Sequence, residues 1–437
     1  MKKIVVLGGG ESGVGAALLA QEKGHPVFVS DAGTLKLKYR EVLEKNNIPY
    51  EENAHTKKKI FEADLIVKSP GIPDQTDLIQ ELQKEKIPII SEIEYAGKHT
   101  NAIIIGITGS NGKTTTTNLT YHLLKAGGMD VGMGGNIGRS FAEMIATEPH
   151  EIYVLELSSF QLDGIDYFQP DVAILLNITP DHLDRYDYKM EQYVAAKFRI
   201  IKNQEAEDVF IYNGDDERIN VWLTKSTLAP RGIVVNNDTS KKGTKLMVNE
   251  LEFDLKKSGL KGPHNRFNAS CAIHAALLQN VSQTDIQQGL DTFINAPHRL
   301  QEVAIIDEVT YINDSKATNT DAVYHALLSM EQPTVLIIGG VDKGNDYSVL
   351  LPLAKEKVTA LICLGNNNEK IKAAFKEVVN HIEETTSMKE AIDKAQAFAK
   401  NGETILLSPA CASFDLFKNY IDRGEQFIEA VHNLEKK

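Results

Sequence analysis

Residues Ile103 to Thr117 read IIIGITGSNGKTTTT. A run of β-branched apolar residues leads into a glycine-rich turn, then a lysine and four threonines. The pattern reads as a buried strand ending in a loop that can hold phosphate. Glycines let the backbone approach an anion and point its N–H groups inward. Lys113 adds positive charge, a hydroxyl from Thr114 or Thr115 can reach Mg²⁺, and the following helix presents its N-terminus. A standard phosphate loop has four residues between its first glycine and the Gly-Lys pair. Here Ile107 holds that first position, and the glycines fall at 106, 109 and 112. A Gly-Lys-Thr in a surface turn is unremarkable. One that follows a strongly apolar strand and opens a helix predicts a nucleotide site.

On either side of this segment, short apolar strands alternate with helical stretches, as in parallel sheets with crossover helices. Upstream, IVVL (4–7), VFVS (27–30), DLIVKS (64–69) and PII (88–90) form a first unit. The second unit continues from the phosphate-loop strand through EIYVLEL (151–157), VAILLNI (172–178) and VFIYN (209–213). KLMVNELEFDL (245–255) reads as an added antiparallel hairpin, and HNRFNASCAIHAALLQ (264–279) as a helix. A third unit starts near INAPHRLQ (294–301). It holds the hairpin VAIIDEVTYIND, then TVLIIGG (334–340), TALICLG (359–365) and TILLS (404–408). The expected architecture is α/β in three domains: a Rossmann-like unit at 1–97, a central P-loop ATPase-like parallel sheet at 98–297, and a Rossmann-like unit at 298–437.

Composition agrees with three domains, since 437 residues exceed one ordinary core. An apolar fraction of 42% and a charged fraction of 24% belong to a globular protein. No run of 18 apolar residues predicts a membrane span. The opening MKKIVVLGGG has only four apolar residues before its glycines, which marks a buried strand rather than a signal peptide. Cys271, Cys363 and Cys411 lie far apart in apolar contexts, as expected of reduced, buried thiols in a cytosolic protein. A net charge of −13 argues against a nucleic-acid surface but not against small anionic ligands held by local loops.

The first turn, GGGESGVG, contains Gly8, Gly10 and Gly13, with Asp31 ending the next strand. It reads either as a nucleotide-binding turn, with Asp31 on a ribose, or as any tight strand-to-helix turn. Two phosphate-binding loops in successive domains imply one activated nucleotide substrate and one nucleoside triphosphate. KSPGI (68–72) ends another strand beside the same ligand. In ELSSFQL, Glu156 closes a strand parallel to that of the phosphate loop, where a carboxylate can hold Mg²⁺. NITPDHLDRY delivers Asn177, Asp181, His182 and Asp184 to the same edge, with His182 a metal-site candidate. Lys197 in YVAAKFRI would by itself be a snorkelling lysine, and Asn136 in MGGNIG a turn asparagine. APHRLQ (296–301), INDSKATN (312–319), GGVDKGNDY (339–347) and SPACASFDLFKNY (408–420) each follow a strand or domain junction. Loops carrying Arg299, Asp314, Lys316, Lys343 and Ser413 could close over the phosphate loop.

Taken together, ITGSNGKTTTT, ELSSFQL, TPDHLDRY, AAKFRI, HNRFN, PHRLQ and NDSKATN resemble the Mur ligase family, ATP-dependent amino-acid ligases of peptidoglycan synthesis. The resemblance runs through essentially the whole chain. LSPACASFDLFKNY and DHLDRY are similar to the branch that adds D-glutamate to UDP-N-acetylmuramoyl-L-alanine. Folylpolyglutamate synthases share the phosphate loop but not this C-terminal signature. The resemblance implies that Ser12 lies near the UDP phosphates, Asp31 near the uracil, and Ser69, Pro70 and Gly71 alongside, with Asn136 also on this substrate. Gly109, Asn111, Gly112, Lys113, Thr114 and Thr115 would hold the ATP phosphates, Asn265 and Asn268 the adenine, Arg299 the γ-phosphate and Asp314 the ribose. Thr114, Glu156, His182 and Lys197 would serve two magnesium ions, Lys197 as a carbamate, and Lys113, Glu156, His182 and Lys197 would be the catalytic set. Lys316, Thr318, Lys343, Ser413 and Tyr420 would form the D-glutamate pocket. Two positions depart from the family pattern: Tyr420 replaces a phenylalanine, and Asp31-Ala-Gly lacks a basic residue after the aspartate.

The implied activity is an ADP-forming acid–amino-acid ligation by a cytoplasmic monomer, with no nucleic-acid or membrane partner. ATP phosphorylates the substrate carboxylate, the amine attacks the acyl phosphate, and a tetrahedral intermediate collapses to amide and phosphate. Such chemistry needs charge neutralisation more than covalent catalysis, and the sequence names no base for the amine. A dinucleotide-dependent oxidoreductase would leave the central phosphate loop unexplained. A non-enzymatic nucleotide switch would leave the third unit's polar clusters without a role.

Overall fold

The computed structural model describes residues 1–236, 243–260 and 262–434. The apolar runs become strands buried on both faces, the environment of a parallel sheet covered by crossover helices. In the first sheet β1 (Ile4–Leu7), β2 (Val27–Ser30), β3 (Tyr50–Glu51), β4 (Leu65–Lys68) and β5 (Ile89–Ser91) lie in the order β3-β2-β1-β4-β5, all parallel. The chain leaves β1 toward one side and returns to pair β4 on the other. A crevice therefore opens between the turns that follow β1 and β4, which is where such sheets bind ligands.

The second sheet holds β6 (Ile103–Thr108), β7 (Val131–Gly135), β8 (Ile152–Glu156), β9 (Val172–Leu175), β10 (Val209–Asn213) and β11 (Arg231–Val235). Its order is β11-β10-β9-β6-β8-β7, again all parallel. Ile107 pairs with Glu156 and Thr108 with Leu175, so the loops after β6, β8 and β9 leave one edge side by side. β12 (Lys245–Val248) and β13 (Leu251–Asp254) form the expected hairpin, and the expected helix spans Pro263–Leu278. The third sheet runs β14-β15-β19-β16-β17-β18, from β14 (Gln301–Ile306), β15 (Val309–Asn313), β16 (Thr334–Gly339), β17 (Val358–Leu364), β18 (Ile382–Thr385) and β19 (Thr404–Ala410). Only its β14–β15 edge is antiparallel. The three cysteines are free and buried. Among the described residues no helix is long and apolar enough to cross a membrane.

Packing divides the chain into two compact units, one holding the first two sheets with Thr244–Lys257 and Phe267–Phe293, the other holding Ser258–Arg266 and the chain from Ile294 on. Within the former, the first and second sheets share a core that runs from Ile4, Val14 and Leu19 to Phe141, Tyr153 and Leu155. Two acidic residues on the short helix Glu92–Gly97 tie the sheets together. The Glu94 carboxylate accepts the backbone N–H groups of Asp166, Tyr167 and Phe168 at 2.9, 3.0 and 2.8 Å. Glu92 accepts from Ser140 Oγ and Ala142 N–H, both at 2.7 Å. Opposite them, Gly15 lets the helix Glu11–Glu22 close on Ser140, because a Cβ there would stand 2.0 Å from Ser140 Oγ.

Burial pushes the Glu92 carboxyl from its ordinary 4.5 up to about 7, against the pull of those two hydrogen bonds. A raised folded-state pKa contributes stability below the unfolded value that is lost as pH rises through the folded one. Between pH 4.5 and 7 this group should remove roughly 3 kcal/mol. Glu92→Gln keeps an acceptor oxygen for Ser140 and Ala142 without the ionisation. Its urea midpoint should therefore fall less between pH 5 and pH 8 than that of the parent; equal falls would remove Glu92 as the cause.

Candidate active site

The phosphate loop forms as its glycines require. Gly112 has φ +85°, a left-handed conformation that disfavours any side chain, and a Cβ there would stand 2.6 Å from Asn268 Oδ1. Asn268 therefore lies directly against the turn. Behind the loop, Asn111 N–H donates to Asn177 Oδ1 at 2.8 Å, and Asn177 Nδ2 donates to the Asn111 carbonyl at 3.0 Å. Ser110 Oγ donates to the Thr179 carbonyl at 2.8 Å and accepts Thr179 N–H at 2.9 Å. The loop after β9 thus braces the loop after β6. The helix Lys113–Ala126 begins at the turn, and Thr114 and Thr115 are buried in its first turn.

Two lysines converge on this loop. Lys113 Nζ donates to the carbonyls of Gly109 and Ser110 at 2.7 and 2.8 Å. Lys197, from the helix Met190–Phe198, reaches the same Gly109 carbonyl at 2.8 Å and lies 4.6 Å from the Tyr193 ring centroid. Lys197 is only 1% exposed. Burial, reinforced by repulsion from Lys113, holds its pKa well below the usual lysine range against the pull of Asp181 and Asp163. A snorkelling lysine would put its ammonium in water; this one buries it.

Glu156, at the end of β8 and 2% exposed, accepts Thr114 Oγ1 at 2.7 Å on one oxygen and Asn136 Nδ2 at 2.8 Å on the other. Asn136 N–H also donates to the Glu156 carbonyl at 2.8 Å, so Asn136 is fixed through Glu156 rather than by a turn alone. A buried carboxylate beside a hydroxyl at the mouth of a phosphate loop is a hard-oxygen pair that fits Mg²⁺. Among the described residues no three His, Cys, Asp or Glu side chains group to hold a metal by themselves. A cation at Glu156 would complete its shell from phosphate oxygens and water. His182 stands on the loop after β9 in a left-handed conformation, 3.6 Å from Asp181 Oδ2 and edge-on to Phe160 at 5.3 Å.

In the crevice of the first sheet, Asp31 accepts Gly9 N–H at 2.6 Å and Gly33 N–H at 2.7 Å, one on each oxygen. It shapes the glycine turn directly. Ser69 Oγ donates to the Gly8 carbonyl at 3.3 Å, which brings the Ser69, Pro70 and Gly71 turn against Gly8. Ser12 lies in the first turn of the helix Glu11–Glu22.

The C-terminal unit gathers its expected residues at the ends of β15, β16 and β19. Asp314 is buried, accepting Ser408 Oγ at 2.8 Å and Leu300 N–H at 3.2 Å, next to Arg299 in sequence. Burial raises its pKa to about 7 despite those bonds and the charges of Arg299 and Arg423. Lys316 Nζ lies 5.3 Å from the centroid of the Tyr420 ring, and Thr318 is half-buried just before the helix Thr320–Leu328. Val341 and Ala412 exchange backbone hydrogen bonds at 2.8 and 3.2 Å, which joins the loop of Lys343 to that of the buried Ser413. Asn265 is buried near the start of the helix Pro263–Leu278.

Some of the supporting residues are invisible to sequence reasoning. Tyr193 is 1% exposed, with its hydroxyl 3.1 Å from Ser110 Oγ. Arg423, 1% exposed within the helix Tyr420–His432, donates to Ser315 Oγ at 3.0 Å and to the carbonyls of Ser315 and Cys411 at 2.8 and 3.1 Å. It binds the NDSK loop to the SPACAS loop. The one signal available was an arginine on the apolar face of an otherwise amphipathic helix.

Family models match this arrangement along the chain: the MurD N-terminal domain at residues 3–78, the Mur ligase middle domain at 107–276, and the Mur ligase, glutamate ligase domain at 298–411. The chain belongs to the Mur ligase family. It is 53% identical to a UDP-N-acetylmuramoylalanine--D-glutamate ligase of Christiangramia forsetii, over 99% of this chain and 100% of that protein. The protein of the same name from Porphyromonas gingivalis is 49% identical, over 99% of this chain and 98% of its own length. Among solved structures, the fold is shared with the UDP-N-acetylmuramate-alanine ligase of Thermotoga maritima (TM-score 0.62, 21% identity, 99% of this chain and 100% of that one). It is also shared with a MurF ligase of Thermotoga maritima in complex with ADP (TM-score 0.61, 15% identity, 94% and 95%).

Proposed function

We propose that this chain is an ADP-forming ligase that joins D-glutamate to UDP-N-acetylmuramoyl-L-alanine in peptidoglycan precursor synthesis, working as a monomer in the cytoplasm. The observation that carries the reading is the convergence of Lys113, Lys197, Thr114 and Glu156 on one phosphate loop. Full-length relatives that bear this enzyme's name support it. Domain 1–97 takes the UDP moiety in the crevice after β1 and β4, domain 98–297 takes ATP, and domain 298–437 takes the amino acid. Lys113 leaves its loop carbonyls for the phosphates, aided by the N–H groups at the start of its helix. Thr114 and Glu156 would hold Mg²⁺, with His182 and a carbamate on Lys197 as further ligands. The metal supplies charge neutralisation for the phosphoryl oxygens. Asn136, held by Glu156, orients the UDP substrate. Asn265 and Asn268 serve the adenine, Arg299 the γ-phosphate and Asp314 the ribose. Transfer of the γ-phosphoryl to the alanyl carboxylate makes an acyl phosphate, which the amine of D-glutamate attacks with release of phosphate.

The test is phosphate release from ATP with UDP-N-acetylmuramoyl-L-alanine, comparing D-glutamate with L-glutamate and L-lysine. Release with D-glutamate alone is expected, and equal release with L-lysine would refute the assignment. D-glutamate carries two carboxylates, for which Lys316, Thr318, Lys343, Ser413 and Tyr420 supply cations and hydroxyl donors. Lys343→Ala should raise the KM for D-glutamate about 100-fold, as expected when a desolvated carboxylate loses its cation. The KM for ATP should change little; a larger effect on ATP would move Lys343 to the nucleotide.

A further inference from the structure

Lys343 is an exposed residue in a turn, and such a side chain ordinarily loses much conformational freedom on binding a carboxylate. The turn itself is held unusually well. Asp342 Oδ1 accepts Gly344 N–H at 2.6 Å and Asn345 N–H at 2.9 Å, and Lys370 Nζ lies 3.2 Å from it. Asp342 Oδ2 accepts the hydroxyl of Tyr347 at 2.8 Å. Tyr347 is 3% exposed, packs edge-on against Phe375, and places its hydroxyl 3.3 Å from Cys411 Sγ. Asn345 Nδ2 donates to the carbonyl of Ala410 at 3.0 Å. Backbone bonds from Val341 to Ala412 close the other end.

The arrangement also settles a competition between charges. A carboxylate adjacent in sequence to Lys343 would ordinarily be its nearest ionic partner. Asp342 instead has four donors, none of which is Lys343. Burial alone would raise its pKa, but the bonds from Tyr347, Asn345, Gly344 and Lys370 more than offset that and hold it below the ordinary carboxylate range. The anion is neutralised on the inner side of the turn, which leaves Lys343 for a ligand.

We propose that Asp342 and Tyr347 are positioning residues for Lys343: their hydrogen bond locks the turn so that the ammonium is presented to the side-chain carboxylate of the amino-acid substrate. The lock makes selectivity for a dicarboxylic amino acid depend on a buried tyrosine hydroxyl. This inference rests on the reading that Lys343 binds D-glutamate.

A double-mutant cycle in the full-length enzyme tests it. Tyr347→Phe keeps the ring and removes the hydroxyl, and should raise the KM for D-glutamate about tenfold, the effect of losing a hydrogen bond to a charged group. Its kcat and its KM for ATP should stay within about twofold of the parent. Asp342→Asn should act in the same direction, since it weakens the same bond while keeping Oδ1 for the turn. In a Lys343→Ala background, Tyr347→Phe should add less than about twofold, because residues acting through one group are not additive. A further tenfold loss in that background would show that Tyr347 acts independently of Lys343, and would overturn the proposal. So would unchanged D-glutamate KM in both single variants, or a fall in kcat with equal rises in every KM. If Lys343→Ala itself leaves the D-glutamate KM unchanged, the assignment of Lys343 fails first and the positioning role falls with it.

Discussion

Lys113→Ala is expected to abolish ligation while leaving the fold intact. In the loop the ammonium donates to the carbonyls of Gly109 and Ser110. The Gly109 carbonyl keeps its bond from Lys197 after the change, and none of the apolar core is touched, so the melting temperature should stay near that of the parent. The catalytic loss should be far larger. Charge spreads over the oxygens of the transferring phosphoryl group, and preorganised cations are worth more there than in the ground state. Lys197, the other lysine at the loop, is buried, and its charged form is disfavoured, so it is a poor replacement for Lys113. A fall in kcat of roughly 10³-fold or more at saturating ATP is the expected scale for such a group. Near-normal turnover would place the ATP phosphates elsewhere.

Lys197→Ala should be nearly as damaging, for a different reason. Burial lowers the pKa of the Lys197 amine, which favours the neutral form that the proposed carbamate needs: attack of that amine on carbon dioxide would give a carbamate plus a proton. Such a carbamate would keep an N–H for the Gly109 carbonyl that the amine meets and would carry a carboxylate-like end beyond it. Alanine would leave a cavity beside Tyr193 and the Gly109 carbonyl and no anion. Acetate or formate should partly restore turnover by entering that cavity, whereas chloride at equal ionic strength should not. An unmodified amine in a high-resolution map of the active enzyme would contradict the carbamate, and failure of every small carboxylate to rescue would weaken the case independently.

The strands legible in the sequence are those whose apolar runs are continuous, such as β1, β6, β8, β16 and β19. β7 was hidden because its sequence, VGMGG, is mostly glycine, and MGGNIG therefore read as a turn. β3 is two residues long, β18 (IEET) carries too few apolar residues for periodicity to register, and the edge strand β11 (RGIVV) opens on an arginine and a glycine and is largely exposed. The phosphate loop was readable because its chemistry is contiguous. Glu156 and Asn177 could be placed because parallel strands end at one edge. The braces were not readable, because their partners are remote: Ser110 meets Tyr193 83 residues away, and Arg423 meets Ser315 across 108. Asp342 shows how a short-range feature also escapes. DKGND reads as a solvated turn until Tyr347 and Lys370 are seen to face its carboxylate.

The shared core between the first two sheets bears on how this enzyme can diversify. The proposed binding roles divide along the chain, but folding does not. Val14, Leu19, Phe141 and Tyr153 belong to one apolar cluster, and Glu92 and Glu94 hold backbone and side-chain donors that lie beyond residue 138. A first domain transplanted from a distant relative would arrive with a mismatched face and without Glu92 and Glu94, the acceptors of Ser140, Ala142 and the N–H groups at 166–168. If the first sheet binds the nucleotide-sugar end as proposed, that specificity is inherited as a pair of sheets. It is free to change by substitution within the crevice, and much less free to change by exchange of modules.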